Sequence, residues 1–255
     1  MRKIYDVKVN HLKDPFGIDY HKLPVFEWKY KQADGLRQLS YRIYVSQDPD
    51  VPWGDVWDSG VVYSADNFGI VFRGRALTPC TVYYFRIEAE TSAGRAKSGV
   101  FSFETGIANE EWDDYWITAP LNFSGCAIYA RRDFIVADKE ILRARAYVLG
   151  MGYHELYLNG DKYAHGVLTP APSDYNKRFF YRTYDITASV RKGEMNCVCA
   201  HLGKGWYGMP ALDMIVKVFF ADGTVRELHS YDTIRWWIKR SPIKDNSIFG
   251  GETYD

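Results

Sequence analysis

The sequence carries no surplus of either charge: 32 Lys and Arg stand against 32 Asp and Glu, a formal net charge of zero over 255 residues. Without a basic field there is no electrostatic footprint for a polyanion, so nucleic acid is not an expected partner. Long apolar runs are missing too. No stretch approaches the length of a membrane-spanning helix, and Met1-Arg2-Lys3-Ile4-Tyr5-Asp6 lacks the apolar segment of a secretory leader. The expectation is a soluble chain with no membrane partner. Its compartment stays open, periplasmic or extracellular where a signal peptide has been removed. Cysteine is scarce: Cys80, Cys126, Cys197 and Cys199 are scattered, the six His are isolated, and no zinc-site spacing occurs. Buried free thiols are expected, with Cys197 and Cys199 on one face of a strand because they are two residues apart. Amphipathic helices are also absent, which excludes a TIM barrel, a Rossmann sheet and a helical barrel within these residues. The one short helical turn starts at Thr187, placed to cap the amides of residues 188 to 190, with Gly193 as a left-handed exit.

Aromatics are plentiful: 20 Tyr, 14 Phe and 8 Trp make 16% of the chain, a composition that suits strands, interfaces and sugar faces. Leu39 to Val45 and Val82 to Glu90 alternate apolar and polar residues as half-buried strands do. Asp34-Gly35 and Ser92-Ala93-Gly94 supply turns between such strands, and Trp28 with Tyr83 or Phe85 are the expected core aromatics. After Phe101 to Gly106 the pattern pauses at Ile107-Ala108-Asn109-Glu110-Glu111. The expected division is therefore residues 1–107 and 108–255. Further strands are expected at 128–136, 143–149, 153–158, 214–220 and 225–228, with Asn159-Gly160 as a type I′ hairpin turn and Asp222-Gly223 as a second. In Arg235-Trp236-Trp237 the adjacent tryptophans must face opposite ways, one into a core and one outward. The fold class is all-β: two β-sandwich domains.

Signature chemistry is not found. Gly203-Lys204-Gly205-Trp206 lacks the third glycine and the helix of a phosphate loop, and no serine or cysteine nucleophile pattern occurs. Asp113-Asp114 reads as a solvated loop and not as an acid/base couple. What remains is a binding signature in the second half. Asp174, Asn176 and Arg178 could hold hydroxyls while Trp206 or Tyr207 offers an apolar face to a sugar ring. The same aromatics also serve core packing or domain docking, which is the favoured reading.

In order along the chain, Pro24 to Trp28, Gln38 to Ile43, Val56 to Gly60 and Tyr83 to Glu88, closing in Phe103 to Gly106, resemble the fibronectin type III-like, immunoglobulin-type module at the front of bacterial α-L-rhamnosidases, which are inverting glycoside hydrolases. Tyr129 to Phe134, Glu155 to Gly160, Thr183 to Thr187, Gly193 to Asn196 and Leu202 to Tyr207 resemble the jelly-roll (galactose-binding-like) N-terminal module of the same family. Ser241-Pro242-Ile243 and Gly251 to Asp255 look like the lead-in to a further β-domain and then a catalytic (α/α)6 barrel. Pro170-Ala171-Pro172 departs from the family's usual Pro-Gly. The resemblance implies a non-catalytic N-terminal fragment whose partner is its own downstream catalytic domain, with the hydrolytic carboxylates outside these residues. It also implies a rhamnose-containing glycan as a candidate ligand. No cofactor is required. Ca²⁺ in the second domain is the one candidate, with Asn159, Asp161, Asp174 and Asn176 as the oxygen donors, although ordinary turn residues are the favoured reading of these four. Two alternatives stay open: an independent lectin-like carbohydrate-binding module, and a structural or adhesion β-sandwich array.

Overall fold

A computed structural model describes residues 2–31, 35–51, 54–112, 115–123, 125–163, 166–206, 208–232 and 235–255. Asp34 of the anticipated first turn, the Asp113-Asp114 pair and Tyr207 lie outside the described residues. The chain divides into two compact units, Met1–Asn109 and Glu110–Asp255.

The described strands of the first unit are β1 (Arg2–Val9), β2 (Phe16–Ile18), β3 (Val25–Tyr30), β4 (Gln38–Ser46), β5 (Trp57–Asp58), β6 (Ile70–Val71), β7 (Val82–Thr91), β8 (Gly94–Lys97) and β9 (Phe101–Thr105). The alternating segments expected from sequence pair with each other: β4 runs antiparallel to β7 with Ile43 opposite Ile87 and Val45 opposite Phe85. The start of β7 also pairs with β9 and its end with β8. A second layer is built by β1, β3 and β6. Strand β1 serves both layers, because Arg2 and Lys3 pair with β8 before the body of the strand pairs with β3. The change falls between Lys3 and Ile4, and the β3 pairing then shifts register between Tyr5 and Lys8, where Asp6 takes φ 47°.

Between the layers Phe26, Ile43, Phe85 and Ile87 are buried. Phe26 meets Phe85 edge-on at 4.9 Å, and Tyr83 stacks on Phe103 at 5.2 Å. The Trp28 indole N–H donates to Tyr30 Oη at 3.1 Å and to Gln38 Oε1 at 3.2 Å, so its polar handle is satisfied inside the core. Tyr83 Oη accepts from the Thr78 amide at 2.9 Å, a tyrosine corner of the immunoglobulin-type sandwich. From the sequence, Ser92-Ala93-Gly94 is expected to turn the chain from the 82–90 strand to the next one at residues 100–103. The structure corrects this by inserting β8, a Gly-Arg-Ala-Lys segment of weak strand formers held by its pairing with β7.

The described strands of the second unit are β10 (Ile117–Thr118), β11 (Ile128–Ile135), β12 (Ile141–Met151), β13 (Tyr153–Leu158), β14 (Asp161–Lys162), β15 (Arg182–Asp185), β16 (Met195–Gly203), β17 (Ala211–Phe220), β18 (Val225–His229), β19 (Trp237–Arg240), β20 (Ile243–Ser247) and β21 (Gly251–Tyr254). Two five-stranded sheets form the jelly-roll sandwich. One contains β10, β17, β12, β15 and β18; the other runs β14-β13-β16-β11-β19. Their facing sides bury Ala146 and Val148, Val216 and Val218, Leu156 and Leu158, and Val198 and Ala200. Trp236 enters this core at 9% exposure while Trp237 points outward at 73%, as strand alternation requires. The Asn159-Gly160 turn between β13 and β14 has φ 52° and 95°, the positive pair of a type I′ hairpin.

Thr187 begins a 3-10 turn, Thr187–Ser189, but does not cap it. Its hydroxyl donates to Asp185 Oδ1 at 2.6 Å and accepts from the Ala144 amide at 2.9 Å, so it ties the turn to β12. None of the four cysteines is in a disulfide; Cys126 is buried, whereas Cys80, Cys197 and Cys199 are only half-buried, which corrects the expectation of uniformly buried thiols. No described helix is long and apolar enough to cross a membrane.

Candidate functional site

The segment carrying Asp174, Asn176 and Arg178 folds as a tight turn. Asp174 O accepts from the amides of Lys177 and Arg178 at 2.9 and 3.0 Å, and Asp174 Oδ1 accepts from Asn176 N and Nδ2 at 3.1 and 3.2 Å. The three side chains are exposed together on this turn, and the Arg178 guanidinium lies 5.8 Å from the Phe180 ring centre. The intervening aromatics point the other way. Phe179 packs between Tyr175 (4.9 Å) and Trp116 (5.3 Å), and Tyr181 packs on Trp112 (5.3 Å) and on Tyr147 of β12 (6.2 Å). The Tyr181 ring thus covers Tyr147 on the outer side of β12, Tyr175 and Phe179 pack with Trp116, and the turn presents its polar groups outward.

The Gly203 to Trp206 loop approaches the same turn. Gly152, at φ 106°, is so close to it that a Cβ there would sit 2.3 Å from Gly203 O, and a Cβ on Gly205 would sit 2.5 Å from Gly152 Cα. These glycines permit backbone contact between two loops, which is why a Gly-Lys-Gly sequence appears without a phosphate-binding helix. The Gly152 amide donates to Tyr175 Oη at 3.2 Å, so Tyr175 anchors the Asp174 turn to the glycine pair. Trp206 stands 55% exposed beside them, its ring edge-on to the exposed Phe249 at 5.6 Å. The Lys204 amide donates to Asn246 Oδ1 at 2.7 Å, and Lys204 Nζ pairs with Asp245, fastening the β20–β21 hairpin to this loop. Of the five sugar-contact candidates, Asp174, Asn176 and Arg178 share one turn and Trp206 borders its anchor; Tyr207 lies outside the described residues. Tyr175, Gly152, Asn246 and Phe249 were missed. Phe249 had a readable signal, an apolar residue in a Ser-Ile-Phe-Gly-Gly turn.

The four oxygen donors offered to calcium do not converge. Gly152 immediately precedes β13 and Asn159 immediately follows it, a separation of roughly 20 Å along an extended strand. Asp174 and Asn176 belong to the turn anchored at the Gly152 end, and Asp161 starts β14 at the far end. Asn159 is also committed to the fold: its Nδ2 donates to Ser189 O at 2.8 Å and to Asn196 Oδ1 at 2.9 Å, and its Oδ1 accepts from the Cys197 amide at 2.8 Å. The single four-residue set is therefore corrected to two separated pairs. Among the described residues no group of three or more His, Cys, Asp and Glu is arranged to hold a metal ion.

Comparison with known proteins places these elements in a family. Residues 4–109 match the Rha78A-like, N-terminal immunoglobulin domain, and residues 139–255 match the alpha-L-rhamnosidase N-terminal domain. An alpha-L-rhamnosidase of Formosa agariphila is 30% identical across 98% of this chain, which covers 31% of that relative. The alpha-L-rhamnosidase structure from Dictyoglumus thermophilum superposes with TM-score 0.88 at 31% identity, covering 99% of this chain and 31% of that one. A Streptomyces avermitilis alpha-L-rhamnosidase complexed with L-rhamnose shares the fold with TM-score 0.90 at 19% identity, covering all of this chain and 43% of that one. The chain thus spans about a third of the length of the curated relative it matches. With an immunoglobulin-type sandwich followed by a jelly roll, each matched to its own family, the chain belongs to the N-terminal β-domain region of the α-L-rhamnosidases.

Proposed function

We propose that these two sandwiches form the non-catalytic platform of an α-L-rhamnosidase, supporting a catalytic (α/α)6 barrel that supplies the acid and base carboxylates. The observation that carries this reading is the tandem of matches, 4–109 and 139–255, within relatives of which the chain spans about a third. The described carboxylates support it, because many are tied into surface ion pairs. Examples are Asp58 with Arg42, Asp133 with Arg131 and Asp174 with Lys177. Purified residues 1–255 are expected to leave nitrophenyl α-L-rhamnoside intact. Nitrophenol release above the no-protein rate that follows the protein through successive purification steps contradicts the proposal.

A second reading, recognition of a terminal rhamnose by the second unit, is favoured by one observation: an exposed indole, Trp206, borders the anchor of a turn that presents Asp174, Asn176 and Arg178 to solvent. The sugar's methyl side suits the ring, and its hydroxyls suit the polar turn. With Ca²⁺ as a bridge, calorimetric titration with L-rhamnose gives heat that vanishes in chelator and in Asp174→Ala. Absence of heat in both buffers removes this reading and leaves Trp206 as a docking residue.

A further inference from the structure

The outer side of the β14-β13-β16-β11-β19 sheet has a relief distinct from the Asp174 turn. Residues directly opposite on neighbouring strands project to the same face, so the pairings define rows of outward side chains. One row is Tyr157, Cys199, Arg131 and Trp237, and the next is Glu155, His201, Tyr129 and Lys239. Along the central strand the outward positions 197 and 199 are cysteines, small side chains set between Tyr157 on one flank and Arg131 with Tyr129 on the other. The result is an open trough of about 620 Å³ whose far end is closed by Asn159, Arg191 and Met195. Along β11 it runs from Tyr129 past Arg131 to Asp133, about 13 Å for residues i to i+4 on a strand, which accommodates a disaccharide.

The chemistry of the trough selects its ligand. Its floor is apolar: burial pushes the Cys199 thiol up to about 11, so at neutral pH it stays protonated and behaves as a small hydrophobe. Of the charged side chains that line it, Arg131, Asp133 and Arg191, the first two pair with each other, and Tyr157 in its wall is held from outside by Glu155. Arg131 donates to Asp133 Oδ1 at 3.1 and 3.0 Å, and Glu155 pairs with Lys162 while accepting from Tyr157 Oη at 3.0 Å. The wall tyrosines Tyr157 and Tyr129 and the fixed polar groups of Arg131, Asp133 and Asn159 suit a ligand with C–H faces and many hydroxyls.

We propose that this trough is a binding site for a neutral pyranose oligosaccharide, with Tyr157 as the stacking wall, the Cys197 and Cys199 side chains as the floor, and Arg131 with Asp133 as the hydroxyl partners. It is separate from the Asp174 turn, needs no calcium and makes no demand on the parent's catalytic activity. The test is calorimetric titration of residues 1–255 in chelator with L-rhamnose, mannotetraose and cellotetraose up to about 10 mM, a range that reaches weak carbohydrate affinities. Tyr157→Ala removes the wall and Cys199→Phe fills the floor. Tyr157→Ala keeps the test valid if Cys199→Phe melts early. At least one of these neutral sugars is expected to bind, with affinity falling about tenfold or more in Tyr157→Ala at unchanged melting temperature and remaining unchanged in Asp174→Ala. No heat with any of the three sugars overturns the proposal. So does binding that is lost in Asp174→Ala and kept in Tyr157→Ala, which assigns the sugar to the turn instead.

Discussion

Phe26→Ala is expected to unfold the first unit at a temperature lower by the order of 20 °C while the second unit melts where it did before. Phe26 is fully buried and packs against Phe85, Trp57 and Phe103 with ring centres 4.9 to 6.1 Å apart. Truncating such a ring removes its transfer free energy and leaves a cavity that a sandwich held by cross-strand pairing cannot close. The typical cost is about 3–5 kcal/mol. A domain of this size has only about 5–15 kcal/mol of stability and shifts its midpoint by roughly 4–8 °C per kcal/mol, so the effect is large. Calorimetric melting of residues 1–255 reads both units in one scan, and Phe249→Ala, at an 87% exposed position, serves as the control that moves neither. A single transition that shifts as a whole would show that the two units do not fold separately.

The second large effect is acid destabilisation through His154. Its ring lies inside the jelly-roll core, where Nε2 is 2.9 Å from Tyr184 Oη. Burial, assisted by the nearby Arg182 charge, lowers its pKa to about 4. A folded-state pKa below the unfolded value means that the unfolded chain takes up the proton first. Stability is therefore fully present above about pH 6.5 and declines as pH falls from there toward 4. The loss attributable to this one group reaches roughly 3 kcal/mol over that window. Melting curves between pH 7.5 and 4 for the chain and for His154→Gln, whose amide can still meet Tyr184, isolate it from the carboxylates common to both. The variant is expected to lose less stability on acidification. Parallel profiles would show that His154 is not held neutral by the fold.

Much of the architecture was legible because it rests on local rules. The Asn159-Gly160 pair demanded a hairpin and formed one with both φ angles positive, and the adjacent Trp236 and Trp237 were bound to separate into a buried and an exposed ring. Trp28, Tyr83 and Phe85 entered the core because alternating aromatic strands leave them no other side. Where tertiary pairing overrides propensity, the pattern was silent. The short strand β8 exists because β7 offers it a pairing edge, and the register shift of β1 against β3 falls at a left-handed Asp6 that no local signal marks.

The site was harder for a different reason. Asn159 has the chemistry of both a calcium ligand and a turn residue, and its bonds to Ser189, Asn196 and Cys197, 30 to 38 positions away, commit it to the fold. The glycines at 152 and 205 looked like loop punctuation and proved to be a backbone contact joining two distant segments. The shallow trough over β16 depends on three strands brought into register, with Tyr157 and Arg131 both opposite Cys199, so its parts are scattered along the chain.

The most direct measurement of the platform role is a proton NMR time course of a methyl α-L-rhamnoside mixed with purified residues 1–255 at high protein concentration, followed overnight. The anomeric signal of the intact glycoside is predicted to keep its full intensity, whether or not saturation transfer shows the sugar touching the protein, because hydrolysis requires an acid and a base carboxylate placed across the glycosidic bond. Appearance of the anomeric signals of free rhamnose, scaling with protein concentration, would contradict a non-catalytic role and place the chemistry within these two β-domains.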